Sequence, residues 1–296
     1  MTNSNRAGPE PAGTNTRNRK GMFAESESDA NKIIREDPLT PDERAAYEED
    51  LISFCDRELD LLGDIEGLGV LYAGGSSLLW LEGLSQRIGE IGTLCGLDAD
   101  TERAKASREL FREAALTAPV RLVTGDVFRP PFAPGTFDLV YSAGLFHELD
   151  VSAESAEDAL ASLASVVRPG GRVATSDFVD SVPAVQLEDE ELHRKMARET
   201  SGARLYGVGL PDRLVALHEA LLSKVRWQIS PPRPIRYLDK VVLAEEELEK
   251  LQSLPAGTRR KLRERREALR ERIRREGYTR PATLYVEGLV SPFITV

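Results

Sequence analysis

The sequence is poor in residues that bind metals or form disulfides. Of its 296 residues only two are cysteine, Cys55 and Cys95, and three are histidine. Two isolated cysteines cannot build a disulfide framework, and neither belongs to a CxxC pair or to a Cys/His cluster with metal-ligand spacing. No pair of histidines has ligand spacing either. We therefore expect a reducing compartment and no metal site.

Long hydrophobic runs are also missing. The longest charge-free apolar run covers residues 67–81 and is interrupted by glycine and serine. A membrane-spanning helix needs roughly 20 consecutive apolar residues, and no apolar signal segment follows the N-terminus. We therefore expect a cytoplasmic protein with no membrane partner.

Positive charge is in the minority. The chain has 49 acidic residues against 39 lysines and arginines, which gives a net charge of −10. A surface dominated by that excess repels phosphate backbones, so nucleic acid is an unlikely partner for the chain as a whole.

One segment has the opposite charge. Residues 258–275 contain ten basic residues and three acidic ones. Such a block could bind an anionic substrate, an RNA or an acidic partner. Glu264, Glu267 and Glu271 alternate with arginines at helical spacing, however, which favours a solvated helix packed along one edge. The packed edge would be a thin apolar stripe formed by Leu262, Leu269 and Ile273.

The composition divides the chain into a tail and one domain. Residues 1–36 are polar with almost no large apolar groups, which predicts a disordered tail. Residues 37–296 form the domain, with a core at 64–180 and C-terminal elements with a helical insertion at 181–296. Residues 40–43 read Thr-Pro-Asp-Glu, a capping box with proline at the first helical position, which predicts a helix ending at Gly63.

Strands and helices then alternate. Short apolar runs predict strands at 69–73, 92–97, 120–124, 137–142 and 172–176, and helical patterns lie between them, the clearest at 100–115 and 155–167. This alternation is typical of a parallel sheet covered by helices on both faces.

The pattern loosens after residue 177. Further predicted elements are helices at 187–200 and 211–222 with a glycine-rich loop at 202–210 between them, a strand at 224–229, two charged helices within 240–276 and a last strand at 283–289. We expect substrate specificity to come from Tyr47, Phe54, the loop at 204–206 and the insertion at 231–280.

Three successive strand ends carry polar or small residues. Because ligands of such sheets bind beyond the carboxyl ends of the strands, these residues are candidates for one site. Gly74, Gly75 and Ser76 suit an anion, Asp98 suits the two hydroxyls of a ribose, and Asp126 suits an exocyclic adenine amine. They describe an adenosine with an anionic or zwitterionic arm. The structural alternatives are an acid at a helix start for Asp98 and a turn cap for Asp126.

Four linked motifs carry a resemblance to a known family. They are VLYAGGSS (70–77), GLDAD (96–100), GDVFRPPFAPGTFDLVYSAGLFHEL (125–149) and LASVVRPGGRVATSDF (163–178). In them the chain resembles the small-molecule, quinone-methyltransferase-like branch of the class I S-adenosylmethionine-dependent methyltransferases.

The resemblance implies a fold and a cofactor. The fold is a Rossmann-like, doubly wound α/β structure with seven strands and the last strand antiparallel; this chain adds an N-terminal helix and a helical insertion before the last strand. The implied cofactor is S-adenosyl-L-methionine. Its expected contacts are Ala73, Gly74, Gly75, Ser76, Asp98, Ala99, Asp126, Val127 and Ser142.

The resemblance is incomplete in the first loop. The family usually has an acid where Tyr72 stands and glycines where Ser76 and Leu78 stand. Methyl transfer to a small-molecule acceptor is the expected function. The alternatives are a non-catalytic or repurposed nucleotide-binding protein on the same fold, and a methyltransferase that acts on RNA or protein. The sequence indicates neither the acceptor atom nor the oligomeric state.

His147 is the candidate catalytic residue. It follows the fourth strand, where the acceptor approaches the methyl group, and it would act as a general base or pack over the cofactor. Glu148 would orient its imidazole or face solvent. His193 and His218 lie in helical segments rich in charge, and we expect both on the surface.

Overall fold

The computed structural model describes residues 39–114, 116–152, 154–179, 183–209, 211–241 and 251–291. The predicted tail at 1–36 lies outside the described residues. In chain order the elements are α1 (Pro41–Asp60), β1 (Gly69–Ala73), α2 (Leu78–Ile88), β2 (Thr93–Asp98), α3 (Thr101–Glu113), β3 (Val120–Thr124), β4 (Phe137–Ala143), α4 (Ala156–Ser165), β5 (Val167–Phe178), α5 (Ala184–Ser201), α6 (Pro211–Leu221), β6 (Ser223–Ser230), β7 (Arg233–Ile235), α7 (Leu238–Val241), α8 (Ala256–Glu276), β8 (Tyr278–Arg280) and β9 (Thr283–Leu289).

Seven strands form one mixed sheet in the order β3-β2-β1-β4-β5-β9-β6. Strands β3, β2, β1, β4 and β5 pair in parallel, whereas β9 runs antiparallel to both of its neighbours. The predicted seven-stranded sheet with its last strand antiparallel is confirmed. Because all five parallel strands end at the same edge, the loops that follow them meet there.

Both faces of the sheet are buried. Along β1, Val70 and Tyr72 pack into one apolar cluster and Leu71 and Ala73 into the other. Side chains alternate between faces in a strand, so a run without polar residues is what a strand covered on both sides requires. Helices α1 and α2 cover the first face, and α4 and α6 cover the second.

The N-terminal helix forms as its capping box predicts. Thr40 Oγ1 accepts a hydrogen bond from the amide of Glu43, and a Glu43 carboxylate oxygen accepts from the amide of Thr40. These two bonds satisfy amides that a helix start otherwise leaves without partners. The helix ends at Asp60, three residues before the predicted end.

The insertion before β9 contains the Arg-rich helix α8. Leu262, Leu269 and Ile273 pack against residues of α5, including Leu192 and Met196, which agrees with a solvated helix packed along one edge. Part of the preceding charged segment, 242–250, lies outside the described residues. The sequence analysis missed a small second sheet, in which β7 pairs antiparallel with β8, because strands of three residues carry no readable period.

Two further expectations need correction. Strand β5 begins at Val167 rather than at 172, with a register shift against β4 between Val167 and Arg172. His218, expected on the surface, is fully buried. Its Nδ1 lies 2.8 Å from the carbonyl oxygen of Leu214 and its Nε2 lies 3.2 Å from Thr175 Oγ1. Its helix has an apolar face toward the sheet, which the surrounding charges obscured. His193 is exposed as expected.

No helix in the described part of the chain is both long enough and apolar enough to span a membrane.

Candidate active site

A cavity of about 440 Å³ lies at the carboxyl ends of β1, β4 and β5. One side, the glycine-loop wall, consists of Gly74, Gly75, Ser76, Ser77 and Leu78. The other side, the β5–β9 wall, consists of Ser176, Asp177, Phe178, Arg280 and Thr283. Residues that follow β4, including His147, also line the cavity. In the sheet, β4 lies between β1, which leads into the glycine-loop wall, and β5.

The glycine-loop wall has little space for side chains. Gly74 has a φ of +88°, and a Cβ there would lie 2.5 Å from Leu145 Cδ1. The amides of Gly74 and Gly75 both donate to the carbonyl oxygen of Leu97, each at 3.0 Å. We expected loop amides to face an anion, but these two are already bonded to β2.

Asp98 ends β2 directly behind this loop and is only 7% exposed. Its Oδ2 accepts a hydrogen bond from Ser76 Oγ at 2.7 Å, and its Oδ1 accepts from the amide of Asp100 at 2.9 Å. The second bond matches the structural alternative for Asp98, and the first joins it to the glycine-loop wall. Ala99, which follows it, is exposed.

Asp126 lies in the neighbouring loop after β3. The amide of Gly125 donates to the carbonyl oxygen of Asp98, so the two loops adjoin. The Asp126 carboxylate is about half exposed, accepts from the amide of Phe128 at 2.9 Å and lies 3.5 Å from Arg129. That amide bond is the turn interaction named as its structural alternative. Val127 is buried in the core. Neither Asp98 nor Asp126 lines the 440 Å³ cavity.

Ala73 and Ser142 occupy the adjacent ends of β1 and β4. Both are buried, and Ser142 Oγ donates to Thr175 Oγ1 at 3.2 Å. Their side chains are therefore part of the sheet, and only their backbone atoms are placed to meet a ligand beyond the strand ends.

Aromatic rings surround the cavity. Tyr72, which stands where the family usually has an acid, is 2% exposed, and its ring stacks near Trp80 with centroids 6.3 Å apart. Phe54 of α1 meets Trp80 edge to face at 6.0 Å. Burial raises the pKa of Tyr72, so its hydroxyl stays neutral. Tyr72 cannot replace the carboxylate of the family.

His147 is paired with a residue that the sequence analysis missed. Its Nδ1 lies 2.7 Å from Asp177 Oδ1, whereas its Nε2 lies 3.7 Å from Glu148. Asp177, not Glu148, is therefore the group that orients the imidazole. Asp177 is fully buried and also accepts from the amides of Phe146 and Phe178, at 2.6 and 2.7 Å. Its place at the carboxyl end of a predicted strand was the signal that could have identified it.

The pair changes the charge of the imidazole. Burial favours the neutral ring, but the charge and hydrogen bond of Asp177 outweigh it, and Glu148 and Glu190 add to them. Together they raise the pKa of His147 to about 9. At neutral pH the ring is therefore a cation, with Nδ1 held by Asp177.

The β5–β9 wall carries a polar group without a partner. Within the described structure Thr283 Oγ1 is buried and makes no hydrogen bond, whereas Ser176 lies against Glu58 and Tyr141. The guanidinium carbon of Arg280 lies 4.5 Å from the ring centroid of Phe54 and 5.9 Å from that of Phe178. Arg280 ends the insertion at 231–280, which was expected to contribute to specificity, whereas Thr283 belongs to no motif and was not expected here.

The loop at 204–206, expected to contribute to specificity, contacts the segment that carries His147. Gly207 donates to the carbonyl oxygen of His147 at 2.9 Å, and Tyr206 donates to that of Leu149 at 2.9 Å. The side chains of Arg204 and Leu205 line a different cavity, on the outside of this loop. Among the described residues, no three His, Cys, Asp or Glu side chains come together as a metal-ligand set.

Known proteins match the middle of the chain. Residues 71–175 match the family described as a methyltransferase domain. A ubiquinone/menaquinone biosynthesis C-methyltransferase UbiE from Idiomarina loihiensis is 33% identical over 128 residues, which is 43% of this chain and 49% of that protein. The chain thus spans about half the length of the curated relatives it matches.

Solved structures match over more of the chain. A cyclopropane-fatty-acyl-phospholipid synthase-like protein from Lactobacillus casei aligns with a TM-score of 0.59 at 15% identity, covering 85% of this chain and 94% of that one. The [4+2]-cyclase SpnF aligns with a TM-score of 0.52 at 16% identity, covering 86% of each chain. Such identities show the fold alone. Residues 71–175 are thus similar to a methyltransferase domain, and the sheet order is that of the Rossmann-like class I methyltransferase fold.

Proposed function

We propose that this protein transfers a methyl group from S-adenosylmethionine to a small-molecule acceptor by in-line displacement. The observation that carries the proposal is the cavity itself, in which the glycine-loop wall and the His147–Asp177 pair face one space. The curated relatives are C-methyltransferases by name, and we extend to this chain only the transfer to a small molecule.

The residues at the strand ends fit the cofactor. Asp98 is a buried carboxylate whose position is fixed by Ser76 and by the amide of Asp100, which suits it to accept both ribose hydroxyls. A Cβ at Gly74 would clash with Leu145, so only glycine fits at this turn of the loop. Asp126 is the proposed acceptor for the adenine amine, and the backbone at Ala73 and Ser142 is proposed to meet the methionine end. When bound, the cofactor supplies a methyl group on a positively charged sulfur.

The chain's own residues then position the acceptor, exclude water and handle a proton. Tyr72, Trp80, Phe54 and Phe178 give the cavity an apolar lining, which keeps water from the reacting atoms. We propose His147 as the catalytic residue. Because Asp177 holds Nδ1, the free Nε2 is the atom that accepts a proton from the acceptor once the ring is neutral.

A cytoplasmic location is part of the proposal. Both cysteines are buried in the domain, and neither needs an oxidising compartment.

Calorimetry with S-adenosylmethionine and S-adenosylhomocysteine tests the cofactor assignment. We expect both to bind the full chain with micromolar dissociation constants. Incubation with methyl-labelled donor and a panel of small phenols, enols and amines then tests transfer, with labelled product detected by mass spectrometry. Absence of binding by either compound to correctly folded protein would end the proposal.

A second candidate is a repurposed nucleotide-binding protein or enzyme on the same fold. Two observations favour it: the acid of the first loop is replaced by Tyr72, and the amides of Gly74 and Gly75 are occupied. The fold also serves a cyclase. Label transfer to any acceptor in the panel decides against this candidate.

A further inference from the structure

Arg280 lines the cavity with no carboxylate within ion-pair distance among the described residues, although the charge of Glu190 acts on it from farther away. In the part of the chain that the structure describes, its guanidinium forms no ion pair or hydrogen bond with a side chain; its contacts are the faces of Phe54 and Phe178. The chain has ten more acids than basic residues, and arginines elsewhere in the C-terminal half pair with them, as Arg272 does with Glu188. Arg280 differs from Arg272 in facing a cavity and two aromatic rings instead of a carboxylate.

The environment of Arg280 favours an anion. Burial lowers the pKa of Arg280, which means that its cationic form is short of compensating interactions. Aromatic faces supply part of the compensation. The guanidinium fork still presents several N–H donors, and the ligand that uses them best is a planar carboxylate bound by two parallel hydrogen bonds.

The carboxylate of the methyl donor is not the obvious partner. Strands β4 and β5 separate β1, whose loop meets the methionine end of the donor in our proposal, from β9, which Arg280 precedes. Three strand spacings amount to roughly 14 Å. Arg280 instead shares the β5–β9 wall with Thr283, which pairs with Phe178 across the sheet.

This wall holds one more polar group without a partner. Thr283 Oγ1 is 2% exposed and makes no hydrogen bond within the described residues. A buried hydroxyl without a partner costs free energy, which a polar atom of a bound molecule would recover.

The ring of Phe178 is close to both His147 and Arg280. Its centroid is 5.0 Å from that of His147 and 5.9 Å from the guanidinium carbon of Arg280. A flat molecule on this ring therefore reaches His147 at one end and Arg280 at the other.

Resting on the proposed function, we propose that the acceptor is an aromatic carboxylate: Arg280 binds its carboxylate, its ring lies against Phe178, and its reacting atom faces His147. Arg280 is then the residue that selects acidic acceptors over neutral ones of the same shape. Thr283 hydrogen-bonds to a ring substituent on the same side.

The test uses benzoate and its neutral analogue benzamide as probes. Their dissociation constants are measured by ligand-observed NMR on the full chain saturated with S-adenosylhomocysteine. We expect wild type to bind benzoate at least tenfold more tightly than benzamide. In Arg280→Gln the affinity for benzoate should fall at least tenfold, and that for benzamide should stay the same.

The matched control is Arg233→Gln. Arg233 pairs with Arg280 in the β7–β8 ladder but is exposed, and its guanidinium donates to Ser53 Oγ at 3.3 Å, so its loss should leave both probes unaffected. Arg280→Lys keeps the charge without the fork. This variant should retain an intermediate preference for benzoate. It replaces Arg280→Gln in the test if that variant does not fold.

Two outcomes would overturn the inference. One is equal binding of benzoate by wild type and the Arg280 variants. The other is loss of S-adenosylhomocysteine affinity in the Arg280 variants, which would assign Arg280 to the donor's own carboxylate. Failure of wild type to bind S-adenosylhomocysteine is a separate result that strikes the proposed function, and the comparison of benzoate with benzamide still decides the role of Arg280.

Discussion

The two walls of the cavity differ in how far their polar groups are satisfied. On the glycine-loop wall the amides of Gly74 and Gly75 are bonded to Leu97, and Ser76 is bonded to Asp98. On the β5–β9 wall Thr283 has no hydrogen-bond partner among the described residues, and Arg280 forms no ion pair with any of them. The polar groups of the glycine-loop wall are therefore bonded within the protein. Those of Thr283 and Arg280 on the β5–β9 wall remain available to a ligand.

This difference suggests different roles for the two walls, with the donor bound at the glycine-loop wall and the acceptor selected at the β5–β9 wall. A loop whose amides are bonded internally offers a ligand mainly its shape and the remaining lone pairs of Asp98. A wall with unsatisfied groups discriminates strongly, because a molecule that lacks the matching polar atoms leaves those groups unpaired. We therefore expect donor binding to depend on few residues and acceptor choice to depend on the β5–β9 wall.

The largest expected effect is at His147, between the two walls. His147→Asn keeps a side-chain amide near the Nδ1 position that can donate to Asp177, but it removes the proton acceptor. We expect kcat to fall about 100-fold or more, the usual contribution of a general base. Exposed His193, changed to Asn, is the matched control and should keep full activity.

The pH profile of wild type sharpens that result. Asp177, Glu148 and Glu190 face the imidazole and raise the pKa of His147 to about 9. Because only the neutral ring accepts a proton, kcat should increase as the pH rises toward and through 9. His147→Asn should lose this inflection; an unchanged profile would reduce His147 to a packing residue.

The next effect is at Asp98, on the side of the donor. Asp98→Ala removes the two charge-assisted hydrogen bonds that we propose to the ribose, worth about 3 kcal/mol together, or roughly 100-fold in Kd for S-adenosylhomocysteine. Calorimetry measures it. Glu102→Gln, an exposed acid on the first turn of α3, is the control. An unaltered Kd for the Asp98 variant would mean that Asp98 serves only the start of α3.

The smallest expected effect is on the free energy of unfolding, measured for one substitution on each wall. Ser76→Ala breaks the bond to Asp98 and should lower the free energy of unfolding by about 1–2 kcal/mol. Thr283→Val replaces an unpartnered hydroxyl by a methyl group of similar shape, so stability should stay within about 0.5 kcal/mol of wild type or increase. Urea unfolding measures both. A loss at Thr283 as large as that at Ser76 would contradict the contrast between the walls.

The sequence predicted the parallel core well, for a physical reason. Strands β1 and β3 and the last strand β9 have the predicted bounds because short apolar runs between glycine, proline and acidic residues leave little choice of register. The cofactor-side candidates Gly74, Ser76 and Asp98 lie together because strand ends of a parallel sheet share one edge. Their role in cofactor binding stays a prediction.

The β5–β9 wall was not predictable in the same way. Arg280 and Thr283 lie far along the chain from His147, and only the antiparallel pairing of β9 with β5 brings them beside Phe178. The short ladder of β7 and β8 that positions Arg280 has no sequence period. His218 shows the reverse error, since charged neighbours in sequence concealed a side chain that packs into the core.

Three hydrogen bonds hold His147 in place, one at the ring and two at its backbone. Its ring nitrogen and its backbone amide both bind Asp177, at 2.7 and 3.3 Å, and its carbonyl oxygen accepts from Gly207 at 2.9 Å. Such a residue has already lost its torsional freedom during folding, before any small molecule arrives. Association then imposes no ordering cost at the one side chain proposed to react, and the protein needs no closing motion to bring it into line.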